Sequence, residues 1–350
     1  MADQISYRNQ ANIVTWLFTG CALVFLMVIV GGITRLTGSG LSITEWNIVT
    51  GTIPPLTEEH WLEEFSKYQG TPEFRKINSH FSLSDFKQIY WWEYIHRLIG
   101  RLIGFVFLIP FVYFLLTRQL QGKMVYKVLT LFLLGGFQGF LGWYMVKSGL
   151  VNDPNVSHYR LAMHLTTAFI TFGLTFWFAL DILHQKVSTG LRNRMGGAVA
   201  IFALVLLQII FGAFVAGLDA GYVYNTFPKM EDKWIADSVT FAWQQGGLTG
   251  IINSLGGVQF IHRYMAYLVV LVIGWELYRA YRSKMTGDLT PGVYNAYLFL
   301  GVAVFLQFLL GVFTLIYHVP VYMGVIHQAG AFVLFAGSIY LVHRLRFSPD

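Results

Sequence analysis

Eight largely apolar stretches of about twenty residues confine this chain to very few folds. They lie at 14–33, 93–116, 125–146, 161–183, 196–218, 258–278, 293–316 and 322–342. Each is long enough to cross a hydrocarbon core of about 30 Å as a helix. Inside lipid a backbone must satisfy its own polar groups, which a helix does within one segment. Of the 350 residues, 55% are hydrophobic and only 12% are charged, about half the charge of a soluble domain. The expected fold class is an all-α polytopic membrane protein with eight transmembrane helices.

Orientation follows from Lys and Arg in short loops. Arg118, Lys123 and Lys127 lie between spans two and three, and Lys186, Arg192 and Arg194 between four and five. Arg279, Arg282 and Lys284 lie between six and seven, and Arg344 and Arg346 follow span eight. These loops and both termini are expected on the cytoplasmic side, and the longer loops 34–92 and 219–257 outside. The net charge of +6 thus belongs to span flanks and implies no nucleic-acid partner. Residues 1–13 are too short for a signal or transit peptide, which favours a bacterial inner membrane. The single cysteine, Cys21, lies inside span one and reads as packing. No CxxCH motif is present, so any haem is held non-covalently.

The first long loop reads as ordered. Pro54-Pro55 gives it a stiff start, and Thr57 before Glu58 and Glu59 reads as a helix N-terminus. Ser84-Asp85 is a second candidate N-cap pair. Tyr90, Trp91 and Trp92 read as an interfacial aromatic belt.

Spans one to four and five to eight run in the same order. Gly31 near the end of span one matches Gly212 in span five. Gln138-Gly139-Phe140-Leu141-Gly142 in span three matches Gln307-Phe308-Leu309-Leu310-Gly311 in span seven. Glu93-Tyr94-Ile95-His96-Arg97 at span two returns as Gln259-Phe260-Ile261-His262-Arg263 at span six. Four spans per copy is an even number, so both halves cross in the same sense. The expected architecture is two tandem four-helix bundles related by a pseudo-twofold along the membrane normal. The halves are 1–190, with the ordered loop 34–92, and 191–350.

His96, His164, His262 and His327 all lie near the outer ends of even-numbered spans. Helices two and four of a bundle can bring two imidazoles to one depth, which suits bis-histidine ligation of a haem iron. A lone histidine there would read instead as a polar contact between helices. Matched positions in a duplicated frame favour two haem sites. No further carboxylate, Cys or His sits at matching depth, which argues against zinc. His60, His80, His158, His184, His318 and His343 are expected to be solvated or interfacial.

Charges at the mouth of a span are expensive and mark function. Arg97 and Arg263 follow candidate ligands and could neutralise a haem propionate, or else snorkel to headgroups. Arg101 lies one turn deeper, and Arg35 is a lesser candidate for the same role. Glu93 shares a helix face with His96. It could relay protons or stabilise positive charge on a substrate, or pair with Arg97 or Arg101. The second copy carries Gln259. A site that only holds a redox cofactor needs no acid, so chemistry is expected in the first half and electron handling in the second.

These residues resemble the haem A synthase family. The likeness rests on the run from Gly31 to Ser42, on Glu93-Tyr94-Ile95-His96-Arg97, on His164, on Ile261-His262-Arg263 and on His327, and it covers nearly the whole chain. It implies an oxidoreductase that converts haem O to haem A by oxidising one ring methyl to a formyl group in two successive hydroxylations. It implies that His262 and His327 ligate a haem b cofactor, with Arg263 beside it. It implies that His96 and His164 flank the substrate haem and that Glu93 is the essential acid. One branch of the family carries a cysteine pair in the first outer loop. This chain has none and resembles the proteobacterial and mitochondrial branch.

The implied partners are haem O, haem O synthase and a membrane electron acceptor, with a homo-oligomer admitted. The competing reading is a diheme b-type membrane electron carrier or haem-transfer protein, with two like sites and no need of Glu93.

Overall fold

The computed structural model describes residues 2–45, 50–150, 154, 156–184 and 192–347. Lys186 and the expected boundary at 190/191 lie outside them. All eight expected spans are helices: α1 (Ala2–Leu36), α4 (Leu83–Leu116), α5 (Lys123–Gly149), α6 (His158–Leu183), α7 (Arg192–Gly217), α9 (Leu255–Met285), α10 (Pro291–Ile316) and α11 (Val321–Arg346). Three shorter helices lie in the long loops: α2 (Glu58–Gln69), α3 (Pro72–Lys76) and α8 (Asp237–Ile252). No β-sheet forms among the described residues. Large apolar side chains stand exposed along the spans, such as Leu271 and Phe305, as lipid-facing surfaces require. The protein is a multi-pass membrane protein.

Packing divides the chain into two compact units, one of residues 1–21 and 169–350, the other of 22–168. In the first, α7 packs on α9, α9 on α10, α10 on α11 and α11 on α7, so spans five to eight close a ring. Ile201, Val205, Val269, Ile273, Leu300, Val304, Phe335 and Ile339 are buried there. The same unit includes the end of α6, whose Phe172 packs against Phe332 with ring centroids 4.2 Å apart.

In the second unit α4 packs on α5, and α2 packs on α4. Thr57 caps α2 as expected, its hydroxyl accepting from His60 N at 3.3 Å. The cap of α4 differs from the expected Ser84-Asp85 pair. It is Ser82, with Asp85 three residues on closing a capping box. The reciprocal bonds of such a box need that spacing, which adjacent residues cannot supply. As a result α4 begins ten residues before the expected span, at Leu83, and its first turns stand in the loop.

Those turns nucleate a small aromatic core. Trp61, Tyr68, Phe86, Ile89, Tyr90 and Tyr94 are buried together. Tyr90 therefore belongs to this core, with its ring 5.0 Å from Trp61, and is not part of an interfacial belt. Trp91 and Trp92 remain exposed. The packed aromatic rings offset part of the entropy that the loop loses on ordering.

The loop core also buries Glu73, which accepts a hydrogen bond from the Tyr68 hydroxyl at 3.1 Å. Burial pushes its carboxyl up to about 7 from an ordinary value of 4.5, opposed by the Tyr68 bond and reinforced by the Glu93 carboxylate. The folded loop therefore prefers the protonated acid. Below pH 4.5 folded and unfolded forms both carry the proton. Between there and about pH 7 only the folded form keeps it, so stability falls as pH rises. Above that range the full cost is present, about 3 kcal/mol. Glu73→Gln is expected to flatten this dependence, measured as hydrogen-exchange protection of the loop from pH 5 to 8. Parallel loss of protection in both proteins would sink the assignment.

Candidate functional site

His262 on α9 and His327 on α11 face each other in the first unit, with ring centroids 6.5 Å apart and planes at 84°. Each ring lies against a glycine of a neighbouring span. A methyl at Gly212 would stand 3.1 Å from Cε1 of His262, and one at Gly311 would stand 2.9 Å from Cε1 of His327. Carbon contacts relax at about 3.5–4.0 Å, so no side chain fits at Gly311 unless the ring shifts. Each glycine is preceded by a glutamine one turn earlier. Gln208 Nε2 donates to the His262 carbonyl at 3.0 Å, and Gln307 Nε2 to the His327 carbonyl at 2.8 Å. The same amide nitrogens approach the rings, at 3.4 Å from His262 Nε2 and 3.1 Å from His327 Nδ1.

The pair fits a haem. Two imidazoles at this separation would leave room for one iron between their ring nitrogens. Both histidines are only half-buried. His262 Nδ1 is buried and without a hydrogen-bond partner among the described residues. A neutral imidazole with an unused ring nitrogen is a ready iron ligand.

The second unit holds the other two histidines in the same kind of seat. A methyl at Gly31 would stand 3.2 Å from His96 Nε2, and one at Gly142 would stand 3.4 Å from Cε1 of His164. Gln138 Nε2 donates to the His164 carbonyl at 2.9 Å. His164 lies six residues into α6 and His327 six into α11, which is about 9 Å along each axis.

Glu93 is 3% exposed and heavily engaged. Its Oε2 accepts from Ser42 Oγ at 2.7 Å and from Ile43 N at 2.8 Å. Its Oε1 pairs with Arg97 Nη2 at 2.7 Å and accepts from Arg97 Nε at 3.1 Å. Arg97 in turn donates to the carbonyls of Ile43 and Glu45. Glu93 and Arg97 together latch the chain that follows α1 onto α4.

The second copy builds the same latch with opposite polarity. Gln259 Nε2 donates to the carbonyls of Ala220 and Val223. Arg263 donates to the carbonyls of Tyr224, Thr226 and Lys229 and to Gln259 Oε1. The first loop presents donors, Ser42 Oγ–H and Ile43 N–H, and meets a carboxylate. The second presents carbonyls and meets an amide. The Glu/Gln difference between the copies thus tracks what each loop offers.

A cavity of about 370 Å³ opens beside the first latch. Arg97, Arg101, Tyr90, Lys67 and the apolar Ile53 and Leu56 are among its lining residues. Arg35 is half-buried in the last turn of α1. Two remaining histidines depart from expectation. His158 is 8% exposed, its ring tilted against Tyr159 with centroids 4.0 Å apart, and His343 is fully buried, with Nε2 3.4 Å from Asp181 Oδ1. Both begin or end a helix whose neighbours cover them, which loop position alone does not reveal.

The chain matches the family described as "Cytochrome oxidase assembly protein" over residues 14–339. It belongs to the haem A synthase family. The protein named "Heme A synthase" of Flavobacterium johnsoniae is 47% identical over 342 residues, 97% of this chain and 99% of its own length. Its namesake in Flavobacterium psychrophilum is 48% identical over 342 residues, 96% and 99%. That of Parvibaculum lavamentivorans is 46% identical over 340 residues, 96% and 95%. Within this family member, the residue that sequence reasoning missed is Gln208. Its signal was present, a Gln four residues before a Gly as in spans three and seven. Span five had been matched to span one, which carries Met27 at that place.

Proposed function

We propose that this chain is a haem A synthase, a membrane oxidoreductase acting on haem O in cytochrome oxidase assembly. It oxidises a ring methyl to a formyl group in two successive hydroxylations. The observation that carries the reading is the repeated seat, a histidine against a glycine of the neighbouring span, found four times in a chain with full-length relatives of that name.

In this reading the C-terminal half, 191–350, holds haem b between His262 and His327, and haem b supplies electron transfer there. The N-terminal half, 1–190, holds the substrate haem between His96 and His164. The cavity beside the Glu93–Arg97 latch, which both arginines line, supports Arg101, with Arg97, as the propionate partners; Arg35 is a lesser candidate. Arg263 is a positioning residue for the cofactor site through the loop it holds. Glu93 serves the first site as an anion fixed by Arg97 one turn from His96. So engaged, it positions the loop and the charge beside the reacting haem and is poorly placed to carry a proton. The chain lies in a bacterial inner membrane with both termini cytoplasmic. It receives haem O from haem O synthase and passes electrons to a membrane acceptor.

The deciding experiment is to extract the non-covalent haem from purified protein and identify it by chromatography and mass. Haem b together with a farnesylated haem is expected. Haem b alone, at two per chain, would replace this reading with the diheme electron carrier.

A further inference from the structure

The four histidine seats are not equal. At His164, His262 and His327 the glutamine that precedes the facing glycine donates to the histidine's own carbonyl. At His96 the corresponding residue, four before Gly31, is Met27, whose thioether has no N–H to donate. A second difference accompanies the first. The residue four after the histidine is Ala168, Ala266 or Ala331 in the clamped seats but Gly100 after His96. Met27 packs into that space, its Cε 3.4 Å from where a methyl of residue 100 would stand. Three seats thus join a donor to alanine, and one joins a large apolar side chain to glycine.

A polar clamp and an apolar contact restrain a helix differently. A hydrogen bond between spans has one geometry and must be broken to shift the histidine it holds, with no water to replace it. A flexible methionine on a glycine surface conforms to several positions at little cost. We infer that His96 is the releasable histidine of the substrate site, that His164 is the fixed one, and that Met27 is the positioning residue that makes this difference. The inference rests on the two-site reading above and deepens it. The side of the substrate haem toward His96 is the side that opens, to admit a small reactant or to let product leave. The cofactor pair, clamped at both histidines, stays closed.

The test uses full-length protein with both haems bound, reduced, and carbon monoxide as the probe. Carbon monoxide is expected to react with one haem per chain in the wild type. Met27→Gln, which is close in volume and restores the donor, is expected to slow that reaction about tenfold and to raise the low-spin fraction of the N-terminal haem, with haem content unchanged. Met27→Leu, apolar and without a donor, is expected to react at the wild-type rate. Equal slowing by Leu and Gln would make the effect one of packing and overturn the inference. Unchanged kinetics in Met27→Gln with two haems bound would overturn it as well and leave the two-site reading standing. A wild type with haem only at His262 and His327 after incubation with haem O would overturn both together.

Discussion

Glu93→Gln is expected to abolish formation of the oxidised haem while haem b stays bound. The carboxylate closes a buried pair with Arg97, whose side chain is 9% exposed, and accepts from Ser42 Oγ and Ile43 N. The amide oxygen of Gln can keep one pair of those contacts. Its NH2 then faces a guanidinium, donor against donor, and leaves a buried cation without its counter-charge. Breaking a buried pair from one side costs about 3–5 kcal/mol. The chain after α1 and Arg97, which lines the cavity, are the parts released. The measurements are haem content, product by mass, and hydrogen-exchange protection of residues 39–45. Full product formation by the variant would refute the role, and loss of haem b would place the defect in the wrong half.

The reverse exchange separates a latch from a reacting acid. Gln259→Glu sets a carboxylate against the carbonyls of Ala220 and Val223 and removes both hydrogen bonds that the amide makes to them. Each unsatisfied buried carbonyl costs about 1–3 kcal/mol. Arg263 offsets part of this by pairing with the new charge. Haem b is therefore expected to bind more weakly, with the N-terminal histidines undisturbed. If instead an acid at this position conferred oxidation on the second haem, the Glu/Gln difference would be chemical and the latch incidental.

The spans were readable because a long apolar run has one solution in lipid, and the glutamine and glycine of spans three and seven were visible as a repeat. The His–Gly seats were not, although every member was on the page. Gly31 and His96 are 65 residues apart in the chain, and which helix faces which is a matter of packing, not of periodicity. Glu93 shows the same limit. Its difference from Gln259 is a fact of sequence, but its meaning depends on whether the facing loop turns N–H groups or carbonyls inward, which is backbone geometry. Tyr90 was misread because a Tyr-Trp-Trp run looks interfacial wherever it occurs. Only the arrival of Trp61 and Phe86 beside it makes it core.

The glycine seats give the most graded expectation. Gly311→Ala is expected to lower haem b content at least tenfold. Its methyl would meet the His327 ring at 2.9 Å, while Gln307 holds the same residue by its carbonyl. The ring cannot retreat with its helix, so it must rotate, and a rotated imidazole would hold an iron less well. The same substitution should be progressively milder at Gly212, Gly31 and Gly142, where the methyl would stand 3.1, 3.2 and 3.4 Å from the facing histidine. The first is tight, and the last is close to ordinary contact. Gly31→Ala carries a further distinction, because His96 has no glutamine clamp and can give way. Its haem should be retained better than the distance alone predicts. Haem content per chain, read from the pyridine haemochrome of each variant, sets the order. A flat series would mean that the glycines serve helix packing in general. A descending series with Gly31 displaced toward wild type would tie each glycine to its own histidine.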